Sequence, residues 1–352
     1  MAVNWTPQVE QMWWVLIGKS CRIQNDRVIR TAFTELLGVD HPIALAGMGG
    51  GTSPDLVAAV SKAGGLGILA ASDAEAGTIR DLIAQIRDRT DKAFGVNLLL
   101  HGADDDQMRA VLDARPVVLS TAWPRDDQDL RAIFANAHDA GIKVMHMVPT
   151  AADGARAAEA GADVIVAQGT DGGGHIGLVG TAVVVPMVVR EVDPVPVLAA
   201  GGIADGRGLA AMLAFGAAGV LVGTRFLATT ESPLHERFKR AIVESDGDDT
   251  IVTDLADIMV GVDWPGAVER VARNRVVERW LGRANELRRR REEVQGRMRD
   301  ARRGGDFDEA IVYWGQSAGL IKEIVPVAKV IADMVGEAET ILRDRLPSLV
   351  VK

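Results

Sequence analysis

The 352-residue sequence has one cysteine, Cys21. A single thiol excludes an intrachain disulfide framework and a Cys-rich metal site, and it fits a reducing cytosol, so a cytoplasmic location and no metal are expected. Long hydrophobic runs are absent. Met12–Ile17 is too short to span a bilayer and is followed by Lys19. No basic stretch precedes it, which makes it a poor signal peptide, and no membrane partner is expected. Positive charge is also scarce. Lys and Arg number 39 against 48 Asp and Glu, a net charge of −9. Such a surface repels a phosphate backbone and argues against nucleic acid as a partner. The basic run Arg288–Arg291 is flanked by Glu286, Glu292 and Glu293 and reads as a solvated helix face. No Gly-X-Ser-X-Gly elbow occurs, and no lysine is read near the end of a strand except Lys143, so a hydrolase or aldolase is disfavoured.

What is present is a large apolar fraction, 48% of residues, arranged in alternation. Between about residues 40 and 228, short runs rich in Val, Ile, Leu and Ala alternate with longer charged segments of helical spacing. Eight strands are expected, at 43–46, 67–70, 93–100, 117–119, 143–147, 164–167, 197–200 and 220–222. Their continuous apolar character suits parallel strands covered on both faces. Ser53-Pro54-Asp55 signals a helix start, with a capping hydroxyl before a proline at the first helical position. Gly161 and Gly216 signal helix ends. Eight βα units predict an α/β fold, a (β/α)8 TIM barrel, over a doubly wound open sheet. The expected organisation is an N-terminal extension over 1–30, a barrel core over 31–230 and a C-terminal helical segment over 231–352 that completes and covers the barrel. Within that segment, helices are expected around 268–293 and 318–344, with a turn at Gly304-Gly305-Asp306. Trp13 and Trp14 in the extension are candidates for packing on a neighbouring subunit of a homo-oligomer.

A barrel of this kind carries its active site at the C-terminal ends of its strands. Ala46-Gly47-Met48-Gly49-Gly50-Gly51 follows the first run, and its glycines permit a flat ligand or a phosphate to approach the backbone. Gln168-Gly169-Thr170-Asp171-Gly172-Gly173-Gly174-His175 follows the sixth. An imidazole beside three glycines sits on a loop where a ligand can reach it, and histidine exchanges protons near neutral pH. Gly201-Gly202 and Gly223-Thr224 follow the seventh and eighth runs, where backbone N–H groups cradle phosphate in many barrels. Asn97 lies within the third run and needs hydrogen-bond partners there. Of the other histidines, His41 precedes a proline, His138 and His235 read as surface positions, and His101 and His146 are weaker rim candidates.

These motifs, with Ala63-Gly64-Gly65-Leu66-Gly67, Gly95-Val96-Asn97, Ala200–Gly206 and Gly223-Thr224-Arg225-Phe226, resemble the nitronate monooxygenases, formerly called 2-nitropropane dioxygenases. Their superfamily also holds FMN-dependent enoyl reductases and NADH:quinone reductases. The resemblance runs from about Thr31 to Leu346. It implies FMN as cofactor, with contacts from Asn97, Gln168, Gly173, Gly174, Gly201, Gly202 and Leu221, Val222, Gly223 and Thr224. It places Ala46, Gly47 and Met48 against the isoalloxazine and makes His175 the catalytic histidine. Met48, His146, Met147, Tyr313 and Trp314 would shape the substrate pocket, and Gly315–Gly319 matches a glycine-glutamine segment. Leu221 departs from a glutamine common in the family, and the Met48 loop continues as a triple glycine where a bulkier residue is common.

The activity this implies is oxidation of a nitronate or nitroalkane by O2, with flavin redox chemistry and protein orientation dividing the work. An alternative keeps the cofactor and reduces a quinone or an enoyl thioester with NAD(P)H. A second alternative is a flavin-binding protein without turnover.

Overall fold

The computed structural model describes residues 29–262, 264 and 267–350. The candidate packing stretch with Trp13 and Trp14, the run Met12–Ile17 and Cys21 lie outside the described residues.

Eight parallel strands form the expected barrel. They are β1 (Ile43–Leu45), β2 (Gly67–Ala70), β3 (Phe94–Leu99), β4 (Val118–Ala122), β5 (Lys143–Val148), β6 (Val164–Gln168), β8 (Val197–Ala200) and β9 (Gly219–Val222). A short strand, β7 (Gly174–Ile176), stands outside the ring. The sheet order is β1-β9-β8-β6-β5-β4-β3-β2. A bridge between Ala44 and Leu66 brings β1 beside the chain entering β2, and Leu45 N–H donates to Leu66 O at 2.9 Å, which closes the ring. All eight expected runs become barrel strands.

Side chains alternate between two apolar layers, as strand geometry requires. Ala44, Ile68, Val118, Met145, Val164, Val166, Leu198, Ala200 and Leu221 fill the interior. Ile43, Leu45, Val96, Leu98, Val144, Val148, Val220 and Val222 face the surrounding helices. The helices begin where their caps predict. Ser53 accepts from Leu56 N–H with Pro54 as the first helical residue of Pro54–Lys62. Thr150 caps Ala151–Ala160, and Gly161 ends it at φ 103°. A cap of this kind contributes about 1 kcal/mol.

The chain after the barrel differs from the expectation of helices alone. Residues 268–272 are a strand, not the start of a helix. β10 (Thr250–Thr253), β11 (Val268–Ala272) and β7 form a three-stranded antiparallel sheet in the order β10-β11-β7. The charges of Glu269 and Arg270 suggest a solvated helix, but both side chains are buried and bonded. Glu269 Oε1 accepts from the N–H groups of Ala256 and Asp257, and Arg270 donates twice to Thr170 O. The helical run starts only at Asn274, which caps Arg275–Trp280. Ala284–Arg289 and Arg291–Gly304 follow, and Gly305 ends the last at φ 69°. The later helix starts at Val327 behind Pro326, with a 3-10 turn over Gln316–Leu320 before it. Pro326 has no N–H for a helix interior and serves as the cap before the helix.

Candidate active site

The glycine-bearing strand tips converge. Ala46 N–H donates to Val222 O, which fixes the first tip against the ninth strand. Met48 Sδ lies over Gly223, and a Cβ on Gly223 would stand 3.2 Å from it. A Cβ on Gly47 would stand 2.5 Å from that of Asn97, so this position requires glycine. Asn97 points into the barrel mouth and donates from Nδ2 to Ser120 Oγ at 3.1 Å. Gly169 N–H donates to Ala200 O, and Gly201, at φ 100°, packs on Gly169 and Gly172. β8 and β9 are hydrogen-bonded neighbours, so Gly201-Gly202 and Gly223-Thr224 stand side by side. The amide N–H groups of Gly202 and Gly223 find no acceptor among the described residues. Thr224 Oγ1 accepts from Gly315 N–H at 2.9 Å and keeps its own proton to donate.

The loop after β6 is tied down on both sides. Asp171 accepts from Thr181 N–H through its side chain and from Gln316 N–H through its carbonyl. Gly173 lies against the Trp314-Gly315 backbone, where a Cβ would meet Trp314 C at 2.5 Å. Its glycine is therefore required by protein packing. Gly174, at φ 72°, is open and serves the backbone turn into β7. His175 follows on β7, directly opposite Glu269 of β11.

His175 Nε2 stands 3.0 and 3.1 Å from the two carboxylate oxygens of Asp257, which lies on the short helix Leu255–Val260. Trp264 covers the imidazole at 3.9 Å between ring centroids, and Trp123 meets it edge-on at 6.4 Å. Trp123 leaves the tip of β4 at φ 52°, a left-handed conformation that costs a residue with a side chain about 1–2 kcal/mol. Glu269 is fully buried, and burial together with the charge of Asp257 pushes its carboxyl up to about 8. Tyr313 lies beside this group, and burial, then the charges of Glu269 and Asp257, raise its phenol well above the usual range.

Other expected site residues make no direct contact with His175. His146 is buried on the helix-facing side of β5, against Phe134 and bonded to Thr121, and burial lowers its imidazole to about 4. Met147 faces the barrel interior. Both border a cavity of about 470 Å³ that also touches Trp123, Arg125, Pro149 and Arg156. Trp314 is buried and stacks on Phe307 within the C-terminal layer, so its backbone, not its ring, reaches the loop before His175. Leu221 lines the barrel interior, and the side chain of Val222 faces the helices.

The residues that sequence reasoning missed are Asp257, Glu269, Trp123 and Trp264. Asp257 carried one readable signal, a lone carboxylate in the apolar stretch Leu255-Ala256-Asp257-Ile258-Met259. Trp123 follows the strand Val118–Ala122 directly, and no glycine marks that tip.

A closed parallel barrel with a histidine and glycine strand tips at its C-terminal mouth is the site architecture of a (β/α)8-barrel enzyme. The family model for nitronate monooxygenase matches residues 30–114 and 102–337, and the chain belongs to that family. The chain is 38% identical over 254 residues to a (3aS,4S,5R,7aS)-5-hydroxy-7a-methyl-1-oxo-octahydro-1H-indene-4-carboxyl-CoA dehydrogenase of Mycobacterium tuberculosis, covering 71% of this chain and 68% of that protein. It spans about two thirds of the length of the curated CoA dehydrogenases it matches. It is 31% identical over 292 residues to a probable nitronate monooxygenase of Staphylococcus aureus, covering 71% of this chain and 80% of that one. Among solved structures, FabK from Thermotoga maritima superposes with a TM-score of 0.83 at 36% identity, over 92% of this chain and all of that one. No helix among the described residues is long and apolar enough to cross a membrane.

Proposed function

We propose that the chain is an FMN-dependent oxidoreductase acting on an acyl thioester, with His175 exchanging the proton on the carbon next to the thioester carbonyl. The observation that carries this reading is His175 itself, held by a carboxylate at the end of the loop that leaves β6 and packs on the Gly201 tip.

The residues present suit FMN. The N–H groups of Gly202 and Gly223 and the Thr224 hydroxyl are donors for its phosphate. Gln168 Oε1 is buried without a protein partner and would accept a hydrogen bond from the cofactor, while Asn97, packed against Gly47, would offer it a carboxamide. When bound, FMN supplies the two-electron acceptor or donor for the carbon framework.

The chain's own work is binding and proton transfer. A thioester carbonyl acidifies the neighbouring C–H, and the His175 ring takes that proton as the saturated thioester becomes unsaturated. In the reverse direction the ring returns it. Asp257 balances the positive ring so formed. With the ring neutral, the pair carries a net negative charge, which suits an uncharged carbon acid better than an anion. The identity to the CoA dehydrogenase, higher than to the nitronate monooxygenase, favours a thioester among such acids.

A second reading, oxidation of a nitronate by O2, is favoured by the family match over residues 30–337. Anaerobic mixing separates the two. Bleaching of the flavin colour by an acyl-CoA, or its return with an enoyl-CoA after reduction by NADH, supports the thioester reading. Bleaching by propionate 3-nitronate alone would replace it with the second.

A further inference from the structure

We infer that Asp257 is the positioning residue of this site: it holds His175 in the tautomer that carries its proton on Nε2, so that Nδ1 is the atom presented to the substrate carbon. This rests on the proton-transfer role proposed above and adds to it which nitrogen acts and what selects it.

The geometry leaves little choice. Both Asp257 oxygens stand within 3.1 Å of Nε2. A carboxylate only accepts hydrogen bonds, so Nε2 carries the hydrogen, and a neutral ring then has its lone pair on Nδ1. Nδ1 has no hydrogen-bond partner among the described residues, and the side chain remains 17% exposed. The ring is also kept from turning, since Trp264 lies across its face.

Asp257 is held in turn. Its own N–H and that of Ala256 donate to Glu269 Oε1 at 3.2 and 2.7 Å. Glu269 sits opposite His175 in the β11–β7 pairing. One buried residue therefore fixes the backbone of the positioning carboxylate and faces the histidine it serves. In the forward step the substrate C–H bond breaks, its proton goes to Nδ1, and its electron pair stays on carbon, delocalised into the thioester carbonyl. The Nε2 proton stays where it is. The ring becomes a cation paired with the Asp257 carboxylate, and the charge within the pair is balanced.

His175, Asp257 and Glu269 each place a ligand-type atom within 4.8 Å of the others, an arrangement that also suits a divalent cation. Two features favour the proton instead. Glu269 Oε1 is already engaged by two amides, and burial together with the Asp257 charge disfavours its ionised form.

The test is long-range 15N–1H NMR on full-length protein labelled at histidine nitrogens, as purified. His175→Asn identifies the signal by its loss. The expected spectrum, taken on the alkaline side of the ring's titration, is a neutral ring protonated on Nε2. In Asp257→Asn, whose amide can donate or accept, that signal becomes a mixture of tautomers. Turnover in the same variant falls by about 100-fold with KM changed by less than about threefold, at the scale of general acid–base effects. Asp257→Glu, which keeps the charge, recovers part of the loss. A wild-type ring protonated on Nδ1 overturns the positioning role whether or not any variant folds. So does an Asp257→Asn spectrum unchanged from wild type, or a His175 signal that moves on adding EDTA. Because the tautomer is read without turnover, protein with the Nε2–H ring but no flavin chemistry would overturn the proposed activity alone.

Discussion

The barrel and the chain that follows it contribute unlike things to the same site. The barrel supplies backbone: glycine tips at 47, 201, 202 and 223, and a carboxamide at Asn97. The residues after it supply charge and shape, with Asp257 and Glu269 beside His175 and Trp264 across its ring. The loop that carries His175 joins the two, leaving barrel strand β6 and ending as the edge of the antiparallel sheet. The lesson is that a general ligand cradle and a particular reactivity can be encoded separately, in different segments of the chain.

Substitutions can break that division. His175→Asn is expected to have the largest effect, leaving flavin absorbance intact while turnover falls by roughly 100-fold or more; wild-type rates in the variant would remove the imidazole from the reaction. Next come two neighbouring glycines with different duties. Gly173→Ala drives a Cβ into the Trp314 backbone and should cost about 1–3 kcal/mol, the usual range for overpacking. Gly174→Ala meets nothing but must hold φ 72° and should cost about 1–2 kcal/mol. Urea unfolding of both variants checks the values, and a Gly173→Ala cost below about 0.5 kcal/mol would show that the contact between barrel loop and C-terminal segment is slack.

Glu269 gives a pH signature. Its carboxyl is raised from 4.5 to about 8, so the folded state keeps a proton that the unfolded chain has lost. Its contribution is fully present below about pH 4.5 and declines as pH rises towards 8. Glu269→Gln should flatten the fall in unfolding free energy across that window, as read by denaturation at several pH values. Parallel pH curves for the two proteins would contradict the burial of this group. The smallest effect is expected at Arg288, on an exposed helix face where Arg290 pairs with Glu286 and Glu293. Arg288→Ala should change stability by less than about 0.5 kcal/mol.

The barrel was legible because its strands are buried on both faces and therefore read as unbroken apolar runs. Gly201-Gly202 and Gly223-Thr224 were legible by their place at the ends of such runs, and His175 by the glycines around it. The antiparallel sheet was not. β7 has three residues, and the charges at Glu269 and Arg270 in β11 imitate a solvated helix until the fold provides their partners. Asp257 escaped for the same reason: 82 residues separate it from His175, and only the pairing of β11 with β7 closes that gap. His146 and Trp314 were placed otherwise than their neighbours suggested. Each lies next to a rim position in sequence, but strand alternation turns the first outward and stacking on Phe307 holds the second in the C-terminal layer.

The most direct measurement follows deuterium on carbon. An acyl-CoA deuterated next to its carbonyl, incubated anaerobically in ordinary water with the protein, should lose its label at a rate set by His175. Washout by the wild type and its near absence with His175→Asn is the predicted result; equal washout by both proteins would contradict the account.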